Sequence, residues 1–184
     1  QMVMIIVGGF VVASAPLVRR GIDLLARLPK TPRGAVAFVA LASMLTSLVS
    51  WGLSLVFSGL LVRALARRVK GLDYRAAGAA GYLGVGAVWA MGLSSSAALM
   101  MATKGAIPPS LLSISGVIPL TETIFLWPSL VTTAALLLVS VALAWASTPA
   151  GASARTAEEL GVDLAEDDAA PAAQAGPLRP GEKL

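Results

Sequence analysis

No cysteine and no histidine occur in the 184 residues. Disulfides, thiolate chemistry, Cys/His metal sites and any catalysis that needs an imidazole are therefore excluded for this chain. Charge is scarce as well: Asp, Glu, Lys and Arg make up 13% of the residues, against about 25% in soluble domains. Apolar residues fill the gap, at 57% of the sequence with a mean hydropathy of +0.81. Several uncharged runs reach the length of about 18 residues at which a segment can cross a bilayer. The net charge of +4 and a pI of about 10.0 would suit a nucleic-acid partner. The basic residues, however, bracket the apolar runs as topogenic charges do, so the expected partner is the lipid bilayer and no nucleic acid.

The chain opens at Gln1 on an apolar run and closes on Pro180-Gly181-Glu182-Lys183-Leu184, which reads like the middle of a linker. Truncation at both ends is the expectation. Residues 1–18 read as a transmembrane helix with small residues at Gly8, Gly9, Ala13 and Ser14. Over residues 19–30, Ile22, Leu25 and Leu28 share one helical face, with Leu24 beside them, while Arg19, Arg20, Asp23, Arg27 and Lys30 take the other. That pattern fits a short helix lying in the cytoplasmic interface; the alternative is an ordinary helix end followed by a basic loop.

Thr31-Pro32 is a helix start, a hydroxyl N-cap before proline at the first helical position. No charge follows over residues 34–62. This run is too long for one span of about 20 residues and too short for two. Arg19, Arg20, Arg27, Lys30 and Arg33 precede it, and Arg63, Arg67, Arg68, Lys70 and Arg75 follow it, five basic residues on each side. A single crossing would leave one cluster outside, against the positive-inside tendency. A re-entrant hairpin over 34–62 returns both clusters to the cytoplasm. With arms of about 15 residues it reaches about 22 Å into the membrane and places Ser50-Trp51-Gly52 at its tip. One long tilted helix that disobeys the charge rule is the alternative.

The next run, residues 76–103, is glycine-rich at first, with Gly78, Gly81, Gly84 and Gly86, and then carries Gly92-Leu93-Ser94-Ser95-Ser96. Three serines after a glycine make poor helix interior, because serine competes locally for backbone partners. A discontinuous helix with an unwound centre is expected; a continuous helix whose serines bond back one turn is the alternative. Residues 104–125, with Lys104, Pro108, Pro109, Pro119 and Glu122, read as an external loop with short helical pieces, and residues 126–147 as a further crossing. Residues 1–147 thus form a membrane domain. Residues 148–184, rich in Ala, Pro and Gly and holding most of the chain's acidic residues, are expected to be a flexible cytoplasmic linker with one capping-box start at Thr156-x-x-Glu159.

The apolar regions from residue 34 to 147 offer hydroxyls, bare backbone and helix ends, and no intramembrane carboxylate for a proton relay. Broken helices aim N–H groups at anions and spare carbonyls at cations. The candidate substrate- and ion-binding residues are therefore Ser50, Trp51, Gly52, Gly92, Ser94, Ser95 and Ser96. No Gly-x-Ser-x-Gly exists and Lys104 sits at a membrane boundary, so an intramembrane serine hydrolase lacks its base and no enzyme is expected. A structural or receptor domain without transport is the remaining competitor.

Three stretches resemble the short-chain fatty acid transporter family, which includes acetoacetate and butyrate uptake proteins. They are Ser50-Trp51-Gly52-Leu53-Ser54-Leu55-Val56; Ala64 to Tyr74; and Gly92-Leu93-Ser94-Ser95-Ser96-Ala97 with Gly116-Val117-Ile118-Pro119-Leu120 after it. The similarity runs from about Val3 to about Leu143 and keeps their order. It implies an all-α integral membrane protein: one repeat of an inverted-repeat transporter in the cytoplasmic membrane, with one re-entrant hairpin and one discontinuous helix. The substrate would be a small monocarboxylate and the coupling ion a cation, Na+ or H+, with no other cofactor. A C-terminal repeat of the same chain would complete the site, and a homo-oligomer stays open. Two positions depart from the family pattern. Many members carry Asn-Trp-Gly where Ser50-Trp51-Gly52 stands, and many have glycine where Ser95 stands.

Overall fold

The computed structural model describes residues 8, 11, 15–149 and 151–164. The transmembrane helix expected over residues 1–18 and the linker beyond residue 164 lie largely outside the described residues. Within them the chain is helical, without a strand: α1 (Pro16–Leu25), α2 (Pro32–Val49), α3 (Trp51–Arg68), α4 (Tyr74–Gly81), α5 (Ser96–Ala102), α6 (Pro109–Ser115) and α7 (Trp127–Ser147).

α2 starts where the hydroxyl–proline pair predicts. Thr31 caps it by accepting the Gly34 N–H at 3.2 Å, and Pro32 takes the first turn. It stops at Ser50, whose extended backbone (φ −154°, ψ 119°) belongs to neither helix. This one residue serves both ends. Its N–H donates to the Thr46 carbonyl at 2.9 Å and its own carbonyl accepts the Ser54 N–H at 3.0 Å, while Oγ accepts the Leu53 N–H at 3.4 Å. The two helices then run antiparallel: Ser43 meets Ser54, and Gly81 lies close to both Val39 and Ser58. Residues 34–62 thus lie within two antiparallel helices joined at Ser50. The arms of 18 residues each exceed the expected length and measure about 27 Å.

From the base of this hairpin the chain climbs along it towards the turn. Gly81 passes Val39, Gly84 packs on Ser43 and Ser54, and Gly92 on the backbone of Leu48. Only α4 is regular α-helix on that path. A π-turn over Gly84–Val88 and a 3-10 turn over Trp89–Met91 follow before α5 resumes at Ser96. The interruption expected at 92–96 therefore begins ten residues earlier, at Tyr82. We refer to residues 82–95 as the strap. Beyond it, α6 and short 3-10 turns occupy the expected loop 104–125, and α7 returns to the base, where the Arg33 guanidinium lies 5.8 Å from the Trp145 ring. Among the described residues, three stretches are long and apolar enough to cross a membrane: Pro32–Val49, Tyr74–Ala102 and Trp127–Ser147.

The core lies where hairpin, α4 and α7 meet. Val36, Val39, Ala40 and Met44 of α2, Leu61 and Leu65 of α3, and Ala77 and Ala80 of α4 are buried, and Leu136, Leu137, Val141 and Ala144 of α7 pack against them. Much of this contact uses small residues, which is how helices associate where lipid tails remove the hydrophobic drive. α7 itself leaves Leu130, Val131, Leu138, Val139 and Leu143 exposed. The amphipathic helix expected over 19–30 is α1, which begins earlier at Pro16 and ends at Leu25. Ile22 is buried, whereas Leu28 lies past the helix end and is exposed.

The base carries a contact that composition alone does not suggest. Residues 151–164, part of the segment expected to be a flexible linker, are packed against it. Asp73 is 1% exposed and caps α4 by accepting the Ala76 N–H at 2.8 Å. It also accepts the Arg75 guanidinium at 3.1 Å and the Arg155 N–H at 2.9 Å. The Tyr74 N–H returns to the Arg155 carbonyl at 2.9 Å. Arg63 and Arg67 donate to the carbonyls of Asp163 and Leu164, and Ala154 and Ala157 are buried. Burial by itself raises the Asp73 pKa. The Ala76 N–H, the Arg75 guanidinium and the Arg155 N–H outweigh it and hold the carboxyl below its ordinary value.

Asp73→Ala leaves the N–H groups of Ala76 and Arg155 without their acceptor, at about 1–3 kcal/mol for each group that stays buried. Trypsin, which the fixed backbone on both sides of Arg155 excludes, should cut there in the variant well before it cuts the parent. Because the folded pKa is depressed, the stabilisation is complete above the ordinary carboxylate value of about 3.9 and is lost as pH falls through the folded value. Cleavage at Arg155 should therefore rise in acid, followed with an acid-active protease, and stay flat towards alkaline pH.

Candidate functional site

At the hairpin turn two helix ends of opposite polarity face each other. The C-terminus of α2 presents carbonyls and the N-terminus of α3 presents N–H groups. The strap lies directly on this junction. The Leu93 N–H donates to the Leu48 carbonyl at 2.7 Å. The Ser94 hydroxyl accepts the Trp51 N–H at 3.3 Å and donates to the Ser47 carbonyl at 3.4 Å. One serine side chain thus bridges the last turn of α2 and the first of α3.

The seven expected site residues divide into two sets. Ser50, Trp51, Gly52, Gly92 and Ser94 come together at the junction. Ser95 is 3% exposed and turned to another task, accepting the Ala98 N–H at 3.4 Å as the N-cap of α5. Ser96 occupies the first turn of α5 and is exposed. Ser94 is held by bonds on both its donor and acceptor sides. Ser50 Oγ accepts from Leu53 and keeps its own O–H as a donor. The Gly52 N–H has no partner among the described residues.

Four serines outside the expected site set are fully or almost fully buried: Ser43, Ser47, Ser54 and Ser58. Ser43 Oγ donates to the Gly81 carbonyl at 2.5 Å and accepts the Gly84 N–H at 3.1 Å. Ser54 Oγ donates to the Ser43 carbonyl at 2.8 Å. The hydroxyls of Ser47 and Ser58 are buried without a hydrogen-bond partner, and Ser47 lies at the junction itself, one turn below Ser50. The available signal was spacing: Ser43 and Ser47 on one arm and Ser54 and Ser58 on the other fall four residues apart, on either side of Ser50. At i, i+4 such residues share one helix face.

Two glycines make this approach possible. A Cβ on Gly92 would lie 2.5 Å from the Leu48 Cα and closer still to its carbonyl oxygen. One on Gly84 would lie 2.5 Å from the Ser43 carbonyl oxygen and 2.6 Å from Ser54 Oγ. Neither clash can be relieved by moving a flexible side-chain end. At Gly86, within the same strap, a Cβ would meet nothing within 4 Å. Gly92→Ala and Gly84→Ala should each cost the folded protein about 1–3 kcal/mol, the usual range for overpacking. Gly86→Ala should be neutral or slightly stabilising. Thermal unfolding of the three variants in one detergent checks the order, and equal midpoints would contradict the seating of the strap.

The chain is similar to known proteins over most of its length. A family model described as short chain fatty acid transporter matches residues 1–171. A protein of Haemophilus influenzae, named provisionally as a short-chain fatty acid transporter, is 33% identical over 130 residues, covering 68% of this chain and 29% of its own length. A protein of Escherichia coli strain K12 with the same name is 34% identical over 139 residues, covering 76% of this chain and 31% of its own. The chain thus spans about a third of the length of the curated relatives it matches. No solved structure matches it. A family match that runs through the hairpin, the strap and the docked base segment alike means that this chain belongs to the short-chain fatty acid transporter family, a family of multi-pass membrane proteins.

Proposed function

We propose that this chain supplies one of two inverted repeats of a secondary transporter that carries short-chain fatty acids, or similar small monocarboxylates, across the cytoplasmic membrane together with a cation. The hairpin enters and leaves from the cytoplasmic side, and its junction with the strap is this repeat's half of the binding centre. The observation that carries the proposal is the junction itself. A lone extended residue, Ser50, separates an α-helix C-terminus from an N-terminus, and a buried, unpartnered hydroxyl, Ser47 Oγ, lies one turn away. A buried polar group without a partner demands an explanation, and a bound ion or substrate atom provides one.

The chemistry follows from the groups present. Lys, Arg, Asp and Glu are absent from residues 34–62 and 76–103, so a carboxylate arriving here finds no side chain of opposite charge. It finds the α3 N-terminus, where the Gly52 N–H and the Ser50 O–H are donors at the positive end of the helix. A short apolar tail would rest against Trp51 and Leu93, the latter 47% exposed. A hard cation is suited by carbonyl and hydroxyl oxygens, which the α2 C-terminus and Ser47 offer. Sodium fits these donors better than a proton, since this half holds no intramembrane carboxylate or histidine to accept one. Ser94 holds the two helix ends together, and Ser95 and Ser96 set the start of α5.

Depth agrees with this arrangement. The charge-free part of α2, residues 34–49, measures about 24 Å, and that of α3, residues 51–62, about 18 Å. The turn therefore lies beyond the midplane of a hydrocarbon core about 30 Å thick. Bare backbone at that depth is tolerated where it is buried in protein or lines an aqueous cavity.

Two measurements test the proposal in the intact transporter, in a background free of other cysteines. Arg33→Cys and Lys70→Cys should both react with an impermeant maleimide from the cytoplasm alone; reaction of either from outside would overturn entry and exit on the cytoplasmic side. Uptake of labelled butyrate should depend on the cation gradient and disappear in Ser94→Val and Ser96→Val while insertion is normal. Full uptake in both variants would move the centre elsewhere and leave a structural membrane domain.

A further inference from the structure

The strap does not unwind by itself at Gly81. Ending an α-helix inside an apolar core leaves carbonyls and N–H groups without partners, and in lipid no water replaces them. Here both sides of the break converge on one atom. Ser43 Oγ, on the opposing helix and 0% exposed, donates its only proton to the Gly81 carbonyl and accepts the Gly84 N–H. Since that proton is committed, the 3.3 Å approach of the Ser54 oxygen is not a second bond donated by Ser43. Ser54 donates its own proton to the Ser43 carbonyl instead. The same carbonyl accepts from Thr46 Oγ1 at 3.0 Å. Thr46 Oγ1 shares its one proton between this carbonyl and the nearer Ala42 carbonyl at 2.8 Å, whereas the Ser43 and Ser54 hydroxyls each donate in one direction.

We propose that Ser43 is the positioning residue of the strap. By binding both backbone groups freed between Gly81 and Gly84, it fixes where the helix breaks along the hairpin arm, with Ser54 holding it in place. Eight residues separate Gly84 from Gly92, so the level of the break sets the level at which Gly92, Leu93 and Ser94 meet the junction. Ser43 touches no ligand; it acts through the strap. Its consequence for transport rests on the function proposed above, whereas its consequence for geometry does not.

The experiment reads the seat of the strap directly. Leu93 and Leu48 are joined by the 2.7 Å backbone bond, so Leu48→Cys with Leu93→Cys, in the cysteine-free transporter, should form a disulfide under mild oxidant. Ser43→Ala in that background should lower the rate of cross-linking by at least about five-fold, the factor expected from losing buried hydrogen bonds of ordinary strength. Ser58→Ala is the matched control: it too is buried, at 2% exposure, but its hydroxyl has no partner, and the rate should not change. Butyrate uptake, measured with Leu48 and Leu93 intact, should show a raised half-saturation concentration in Ser43→Ala. If cross-linking in Ser43→Ala equals that in the Ser58→Ala control, the positioning role is overturned. If Ser43→Ala does not insert, Ser54→Ala decides: a reduced rate supports the role, and a parental rate overturns it. Cross-linking as expected in the double-cysteine variant, with no carboxylate uptake by the transporter that keeps Leu48 and Leu93, would sink the proposed function and leave this inference standing.

Discussion

Inside a bilayer a helix break is stable only if the protein itself satisfies the backbone groups that the break frees. This chain has few side chains with which to do so, because the charge-free runs that let it enter the membrane contain no carboxylate, no cationic group and no imidazole. Serine is the economical solution. Its hydroxyl donates once and accepts twice, so one side chain can satisfy a carbonyl and an N–H together. Ser43 does this at Gly81 and Gly84, and Ser94 does it between Ser47 and Trp51. Ser50 and Ser95 cap the helices that follow. Glycine is the necessary partner, because the backbones must approach closely enough for a side chain as short as serine to reach. The clashes that a Cβ would meet at Gly84 and Gly92 measure that closeness.

Charge organises the other axis of the molecule. Arg33, Arg63, Arg67, Arg68, Lys70, Arg75 and Arg155 belong to the hairpin base and the segments beside it, while Lys104 follows α5 beyond the hairpin turn. Exposed pairs such as Arg68 with Asp23, 3.9 Å apart, contribute little. Asp73 differs because it is buried and bonded on every side. It joins the α3–α4 connection, the first turn of α4 and the segment after α7 in one carboxylate. The helix that leads into the strap is thereby tethered at its foot by Asp73 and at its upper end by Ser43, and the strap has no free end.

Much of this was legible in the sequence, for reasons that can be stated. The pair of helices joined at Ser50 showed because its cause is linear: an uncharged run too long for one span and too short for two. Its turn showed because Ser50-Trp51-Gly52 sits near the middle, within residues that also carry the family resemblance. α7 was readable to within a residue from its apolar length. The strap was half legible. Gly92 to Ser96 announced a break, but Gly81 and Gly84 looked like a helix-packing face. What ends the helix there is Ser43, 38 residues earlier in sequence, and no local pattern encodes that pairing. The docked base segment was hidden for the same reason. Its Ala, Pro and acidic composition suggests mobility, and its anchor, Asp73, lies 82 residues away.

The same accounting separates two kinds of serine that look alike in sequence. A hydroxyl whose proton and one lone pair are engaged by backbone cannot donate to a ligand without breaking a bond that the fold needs, and keeps only its second lone pair; Ser43 and Ser94 are of this kind. A hydroxyl with unused capacity at a helix junction loses nothing by binding. Ser50, with its proton uncommitted, and Ser47, buried with no partner at all, are of this second kind. In the transporter proposed here, recognition would therefore fall to the residues flanking the turn, and Ser94 would act chiefly by holding the two helix ends in position. Asparagine at position 50 would add a carbonyl oxygen and an amide at the point where the donor and acceptor ends meet. Serine there supplies one hydroxyl, and the work of binding passes to the backbone that its small size leaves uncovered.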